Sequence, residues 1–137
     1  LFRKGEAALL LVDQRASEGI TIPFFGRDAF TTPAPAALAL KLGAVVIPAS
    51  NERVNGSRFR ITVHPPIEPP NTGDPGRDLV EFTAAMTRFI EQRVRERPHE
   101  WLWIHKRWVR TDAPLRKRAQ ALSPLRGGDN NATSNRV

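Results

Sequence analysis

Cysteine is absent from the 137 residues. That excludes a disulfide framework, a thiolate zinc site and a cysteine nucleophile, and it fits a reducing compartment. Metal chemistry would have to rest on His and carboxylates. Long apolar runs are lacking too: the longest, Ala7 to Val12, falls far short of the roughly 18 to 20 residues that cross a bilayer. No transmembrane helix is expected in this stretch. Also missing are a Gly-x-Ser-x-Gly elbow, a Walker loop, a dinucleotide-binding glycine pattern, a His pair at helical spacing and any internal repeat. The chain opens at Leu1 with no basic-then-apolar signal segment, and we read it as a fragment.

What is present is the composition of a soluble globular chain, 40% apolar and 26% charged, at a length that suits one domain. Disorder throughout is excluded. The formal charge of +7 is unevenly spread. From Arg110 onward, Arg110, Arg116, Lys117, Arg118, Arg126 and Arg136 stand against Asp112 and Asp129 only. The composition there turns to Arg, Gly, Asn, Ser and Pro, so 110–137 is expected to be a basic disordered tail and 1–109 the ordered part. Mild basicity of the ordered part suits anionic partners: phosphorylated lipid headgroups, an acidic carrier protein or nucleic acid.

Local patterns predict an α/β fold, a mixed and mostly parallel sheet with flanking helices. Ala7 to Val12 suits a central strand covered on both faces, its polar end Asp13-Gln14-Arg15 lying where open α/β sheets place their sites. Ile20 to Phe25, interrupted by Pro23, reads as a loop or edge strand, and Gly26 as a turn. Thr31-Thr32-Pro33 introduces a helix over 34–42 with a Thr cap, stopped by Gly43. Ala44 to Ile47 reads as a second buried strand closed by Pro48. Arg58 to His64 alternates with period two, as a half-exposed strand does, after a hairpin signal at Asn55-Gly56. Asp74-Pro75 starts a helix whose apolar face is Leu79, Phe82, Met86, Phe89, Ile90 and Val94 and which stops at Pro98. Trp101, Trp103 and Trp108 should dock on the core.

Few residues carry chemistry on their own. His64 and His99 read as surface or capping side chains, and His105 as a structural histidine or a polar ligand contact. Asp13 is either a turn cap or a site acid. Arg15, Arg27, Arg53, Lys106 and Arg107 are candidate phosphate contacts, or simply solvated side chains. The adjacent Phe24 and Phe25, bounded by Pro23 and Gly26, are either core packing or the apolar lip of an acyl-chain site.

Taken in order, Arg-Lys-Gly-Glu (3–6), Asp13-Gln14, Gly19, Pro23-Phe24-Phe25-Gly26-Arg27, Thr31-Thr32, Leu38-Ala39, Gly43-Ala44, Val46-Ile47-Pro48, Arg58-Phe59-Arg60 and Arg97-Pro98-x-x-Trp101-Leu102-Trp103-Ile104-His105-Lys106-Arg107-Trp108 resemble the carboxyl-terminal half of a bacterial lipid A biosynthesis acyltransferase. This is the lauroyl or myristoyl transferase branch of the lysophospholipid acyltransferase-like superfamily, and the resemblance runs from about residue 3 to 109. It implies an α/β enzyme of the inner membrane's cytoplasmic face. Such an enzyme moves a fatty acyl group from acyl carrier protein to a hydroxyl of a phosphorylated, Kdo-bearing glucosamine disaccharide lipid, with no cofactor, metal or nucleic acid. The family's His-x-x-x-x-Asp/Glu centre has no counterpart here, since His64, His99 and His105 are followed five residues on by Pro69, Ile104 and Arg110. Motif and anchor are expected upstream of Leu1, and the fragment alone is expected to be inactive. The resemblance assigns Asp13 a supporting catalytic role. It assigns Gln14, Arg15, Gly19, Pro23, Phe24, Phe25, Gly26, Thr31, Thr32 and Arg107 to substrate binding, with Thr31-Thr32 at a helix start that favours an anion. Arg15 departs from members with a second acid there, and Ala34 from those with Gly nearby. Competing readings are a transferase acting on another phosphorylated glycolipid, a basic nucleic-acid-binding module resting on the pI of 11.2, and a pseudoenzyme or scaffold piece.

Overall fold

The computed structural model describes residues 5–16, 18–104 and 106–108. Strands β1 (Ile20–Phe24) and β2 (Arg27–Thr31) form an antiparallel hairpin with Ile20 opposite Thr31 and Phe24 opposite Arg27. Phe25 and Gly26 make the two-residue turn, with φ of +53° and +71°, the backbone that a type I′ turn requires at both central positions. Alternation buries Ile22 and Phe24 on one face and leaves Pro23 exposed on the other. Pro23, which has no amide to donate, is accommodated because β1 is an edge strand, as its sequence predicts.

Helix α1 (Ala34–Leu42) ends at Gly43, whose φ of +62° is the left-handed stop expected there. Its start differs from expectation. Pro33 occupies the capping position with no side-chain cap, while the Thr32 hydroxyl accepts the Ala34 amide at 3.3 Å. A second antiparallel hairpin joins β3 (Ala49–Asn55) to β4 (Arg58–Val63) through a turn at Gly56-Ser57, with Asn55 the last residue of β3 and opposite Arg58.

Helix α2 (Pro75–Glu96) is the spine. The Asp74 carboxylate accepts the Gly76 and Arg77 amides at 2.9 and 3.2 Å, satisfying two donors that the first turn leaves open. Phe82, Met86 and Val94 are buried along the predicted face, and Leu79, Phe89 and Ile90 are partly so. The amino-terminal half of this stripe packs on Ala36 and Ala39 of α1, with Val46 and Ile67 alongside. Its carboxyl-terminal half, through Ile90 and Val94, packs on Phe24 and Ala29 of the first hairpin. A short 3-10 turn at Pro98–Glu100 then leads into the tryptophan segment. No described helix is long and apolar enough to cross a membrane.

The mixed, mostly parallel sheet of an α/β fold is not formed: among the described residues both sheets are two-stranded and antiparallel. Among the described residues Ala7 to Val12 pairs with no strand, and Leu9 and Leu11 are 88% and 81% exposed. At 44–47 only Val46 pairs, in an isolated antiparallel bridge to Ile67, while Val45 and Ile47 stay exposed and the strand starts at Ala49. The physical reason is the same at both places. An apolar run becomes a central strand only when neighbours satisfy both backbone edges and layers cover both faces, and the described residues supply neither. Likewise β4 is exposed along its whole length rather than half-exposed. The predicted 110–137 tail lies outside the described residues.

Candidate functional site

The first hairpin, the carboxyl-terminal turns of α2 and the tryptophan segment converge on one aromatic cluster. Phe24 lies wholly buried at its centre, with ring centroids 4.8 Å from Phe25, 5.5 Å from Trp101 and 6.0 Å from Trp108. Trp101 and Trp103 meet edge to face at 4.8 Å. The indole N–H of Trp108 donates to the Phe24 carbonyl at 2.9 Å, and its backbone bridges Ala29 of β2. The expected docking of the tryptophans thus has a polar as well as an apolar component. Phe24 is core, and of the two adjacent phenylalanines Phe25 is only half-buried, packed at the turn against the Phe24 cluster.

Arginines overlie these rings: Arg27 stands 5.4 Å from the Trp108 centroid, Arg95 4.5 Å from Phe25 and Arg107 5.1 Å from Phe24. Arg27 is an exposed cation on an aromatic surface, whereas the Arg95 guanidinium is already paired with the Glu91 carboxylate. Arg107 differs. It is 1% exposed, and its guanidinium donates to the Phe30 carbonyl through Nη1 and to the Thr31 hydroxyl through Nη2, the latter at 2.9 Å. Burial lowers its pKa and the negative Asp13 carboxylate opposes that shift. The terminal nitrogens that a phosphate would use are therefore engaged inside the protein.

Asp13 sits half-buried in the turn that ends the apolar run, with Gln14 and Arg15 exposed beside it. The segment is tied to β2: the Ala16 amide donates to the Phe30 carbonyl at 3.3 Å and the Arg15 guanidinium lies 5.6 Å over the Phe30 ring. Gly19 abuts β2 so closely that a Cβ there would stand 2.5 Å from the Thr31 carbonyl oxygen. Asp13, Arg15, Gly19, Phe24, Phe25, Thr31 and Arg107 are thus brought together around the first hairpin, with Pro23 and Gly26 exposed on it. Thr31 is buried and bonded to Arg107, while Thr32 serves the Ala34 amide. With Pro33 and Pro35 lacking N–H groups, the start of α1 offers an anion few donors.

Other candidates stand apart. Arg53 lies over Phe59 on the second hairpin, Lys106 is exposed, His64 bonds Ser50 at 2.8 Å and His99 lies 3.7 Å from Glu100. His105 is outside the described residues. No group of three His, Cys, Asp or Glu side chains suited to a metal occurs among the described residues.

Sequence reasoning missed Glu91 and Arg95. One Glu91 carboxylate oxygen accepts the Phe25 amide at 2.7 Å, and the other pairs with Arg95 at 2.6 Å. Burial, the largest single influence, pushes Glu91 up. The Phe25 amide and the hydrogen bond and charge of Arg95 outweigh it and hold the carboxyl below its ordinary range. Glu and Arg four apart on one helix was the available signal, but it announces only a surface pair.

A search of curated proteins gave no match. A family model described as bacterial lipid A biosynthesis acyltransferase matches residues 1–110. That span covers the hairpin, the Asp13 turn, both helices and the tryptophan segment, and so the chain belongs to the bacterial lipid A biosynthesis acyltransferase family.

Proposed function

We infer that this chain takes part in acyl transfer in lipid A biosynthesis, a role its family membership supports. We propose, more narrowly, that the chain helps transfer a lauroyl-like group from acyl carrier protein to a hydroxyl of a phosphorylated, Kdo-bearing lipid A precursor at the cytoplasmic face of the inner membrane. The supporting observation is that the turn carrying Asp13 is bonded to β2 at Phe30, with Arg15 over the Phe30 ring and Phe25 at the turn of the same hairpin. In the reaction the hydroxyl oxygen attacks the thioester carbonyl, the C–S bond breaks, and the hydroxyl proton ends on the departing carrier thiolate. No histidine of this chain has an acid five residues on, so Asp13 is assigned acceptor orientation rather than proton abstraction. Phe25 and Trp103, 6.3 Å apart, offer apolar surface to the acyl chain. Arg15 and Arg27 meet acceptor phosphates, with Gln14 at the sugar, while Gly19, Pro23, Gly26, Thr31 and Thr32 shape the wall.

The test is acyl transfer by the gene product that carries this chain, with lauroyl-acyl carrier protein and the Kdo-bearing precursor. Asp13→Ala is expected to lower turnover about 10²-fold, measured on protein shown by thermal melts to be folded at the assay temperature. Unchanged turnover would overturn the role of Asp13.

A further inference from the structure

Arg107 is the largest fully buried side chain among the described residues, and an arginine in that position is expensive. Its Nε has no hydrogen-bond partner among the described residues. Its two terminal nitrogens serve adjacent residues of β2, Phe30 and Thr31. The Phe30 carbonyl that takes Nη1 also takes the Ala16 amide. One oxygen therefore joins the buried cation to the turn that carries Asp13, three residues away. The charge of Asp13 acts on the guanidinium, which lies 5.1 Å from the Phe24 ring centroid.

We propose that Arg107 is a positioning residue for Asp13: it clamps the 13–16 turn to β2 through Phe30 and holds the carboxylate in the direction that acyl transfer needs. The inference rests on the site reading above. It removes Arg107 from direct contact with substrate and makes it act through Asp13. A planar fork, not a positive charge alone, is required, because the two acceptors lie on consecutive residues of one strand.

A double-mutant cycle tests this in the gene product carrying the chain. Arg107→Lys keeps the charge and loses the fork. It is expected to lower kcat about 10²-fold, the usual consequence of a small misplacement, with KM for the acyl carrier unchanged. In an Asp13→Asn background the same change should leave kcat alone. Independent, multiplicative losses would overturn the proposal. Thr31→Val, which removes one acceptor and keeps the volume, covers the case in which Arg107→Lys does not fold, and its kcat loss should likewise vanish beside Asp13→Asn. A readout free of activity separates this proposal from the choice of substrate. The side-chain carboxyl 13C resonance of Asp13, assigned by its loss in Asp13→Asn, should move at fixed pH in Arg107→Lys or Thr31→Val while that of Asp74 stays. An unmoved Asp13 resonance overturns the proposal whatever the enzyme transfers. A moved resonance without lauroyl transfer by the parent supports it and overturns the substrate reading alone.

Discussion

At position 19 there is no room for a side chain. The Cβ of an alanine would lie 2.5 Å from the Thr31 carbonyl oxygen and 2.8 Å from its carbon, both backbone atoms that cannot swing aside. Gly19→Ala is expected to destabilise the chain by about 1–3 kcal/mol, as overpacking does, measured as a lowered urea midpoint. Because Thr31 is also an acceptor for Arg107, the substitution should disturb the Asp13 turn as well. A glycine in a loop reads in sequence as freedom of the backbone. Here its value is the close approach of two segments, which spacing within the chain does not reveal. Asp13 shows the opposite case: its place at the end of an apolar run made it a candidate from sequence, although the strand that was to carry it is not formed.

Among elements, the first hairpin and α2 are joined by a contact that depends on ionisation. Phe25 holds a positive φ without being glycine, a conformation that costs a non-glycine residue roughly 1–2 kcal/mol. Its amide is secured by Glu91, whose pKa is depressed. A group with a depressed folded pKa contributes stability that is complete above the unfolded value, about 4.3 for Glu, and is lost as pH falls through the folded value. Thermal melts between pH 7 and pH 3 should therefore show an acid-induced loss of stability that is smaller in Glu91→Gln; an identical acid step in both would sink this assignment. The partners are 66 residues apart, beyond the reach of any local pattern. By contrast the Asp74 cap, the Gly43 stop and the second hairpin were legible, although its turn falls at Gly56-Ser57, one residue beyond the Asn55-Gly56 signal, since each needs only residues within about four positions.

Over the whole molecule, the apolar surface is divided between two clusters strung along α2 and several runs left bare. Leu9, Leu11, Val45 and Ile61 are all at least 70% exposed. Leu9→Ser with Leu11→Ser is expected to change the stability of this 137-residue chain by no more than about 0.5 kcal/mol per site, read from its unfolding midpoint. A central buried strand would instead lose several kcal/mol. The sequence by itself determined the long amphipathic helix, its start and stop, the two turns and the family, because periodicity, capping and ordered motifs are carried by neighbours along the chain. Only the tertiary structure decided that, among the described residues, both sheets are antiparallel pairs, Ala7 to Val12 stays unpaired and Arg107 is buried against β2. Strand pairing, desolvation and the sharing of one carbonyl between distant donors depend on which segments meet in space, and an apolar run specifies only that it would gain by being covered.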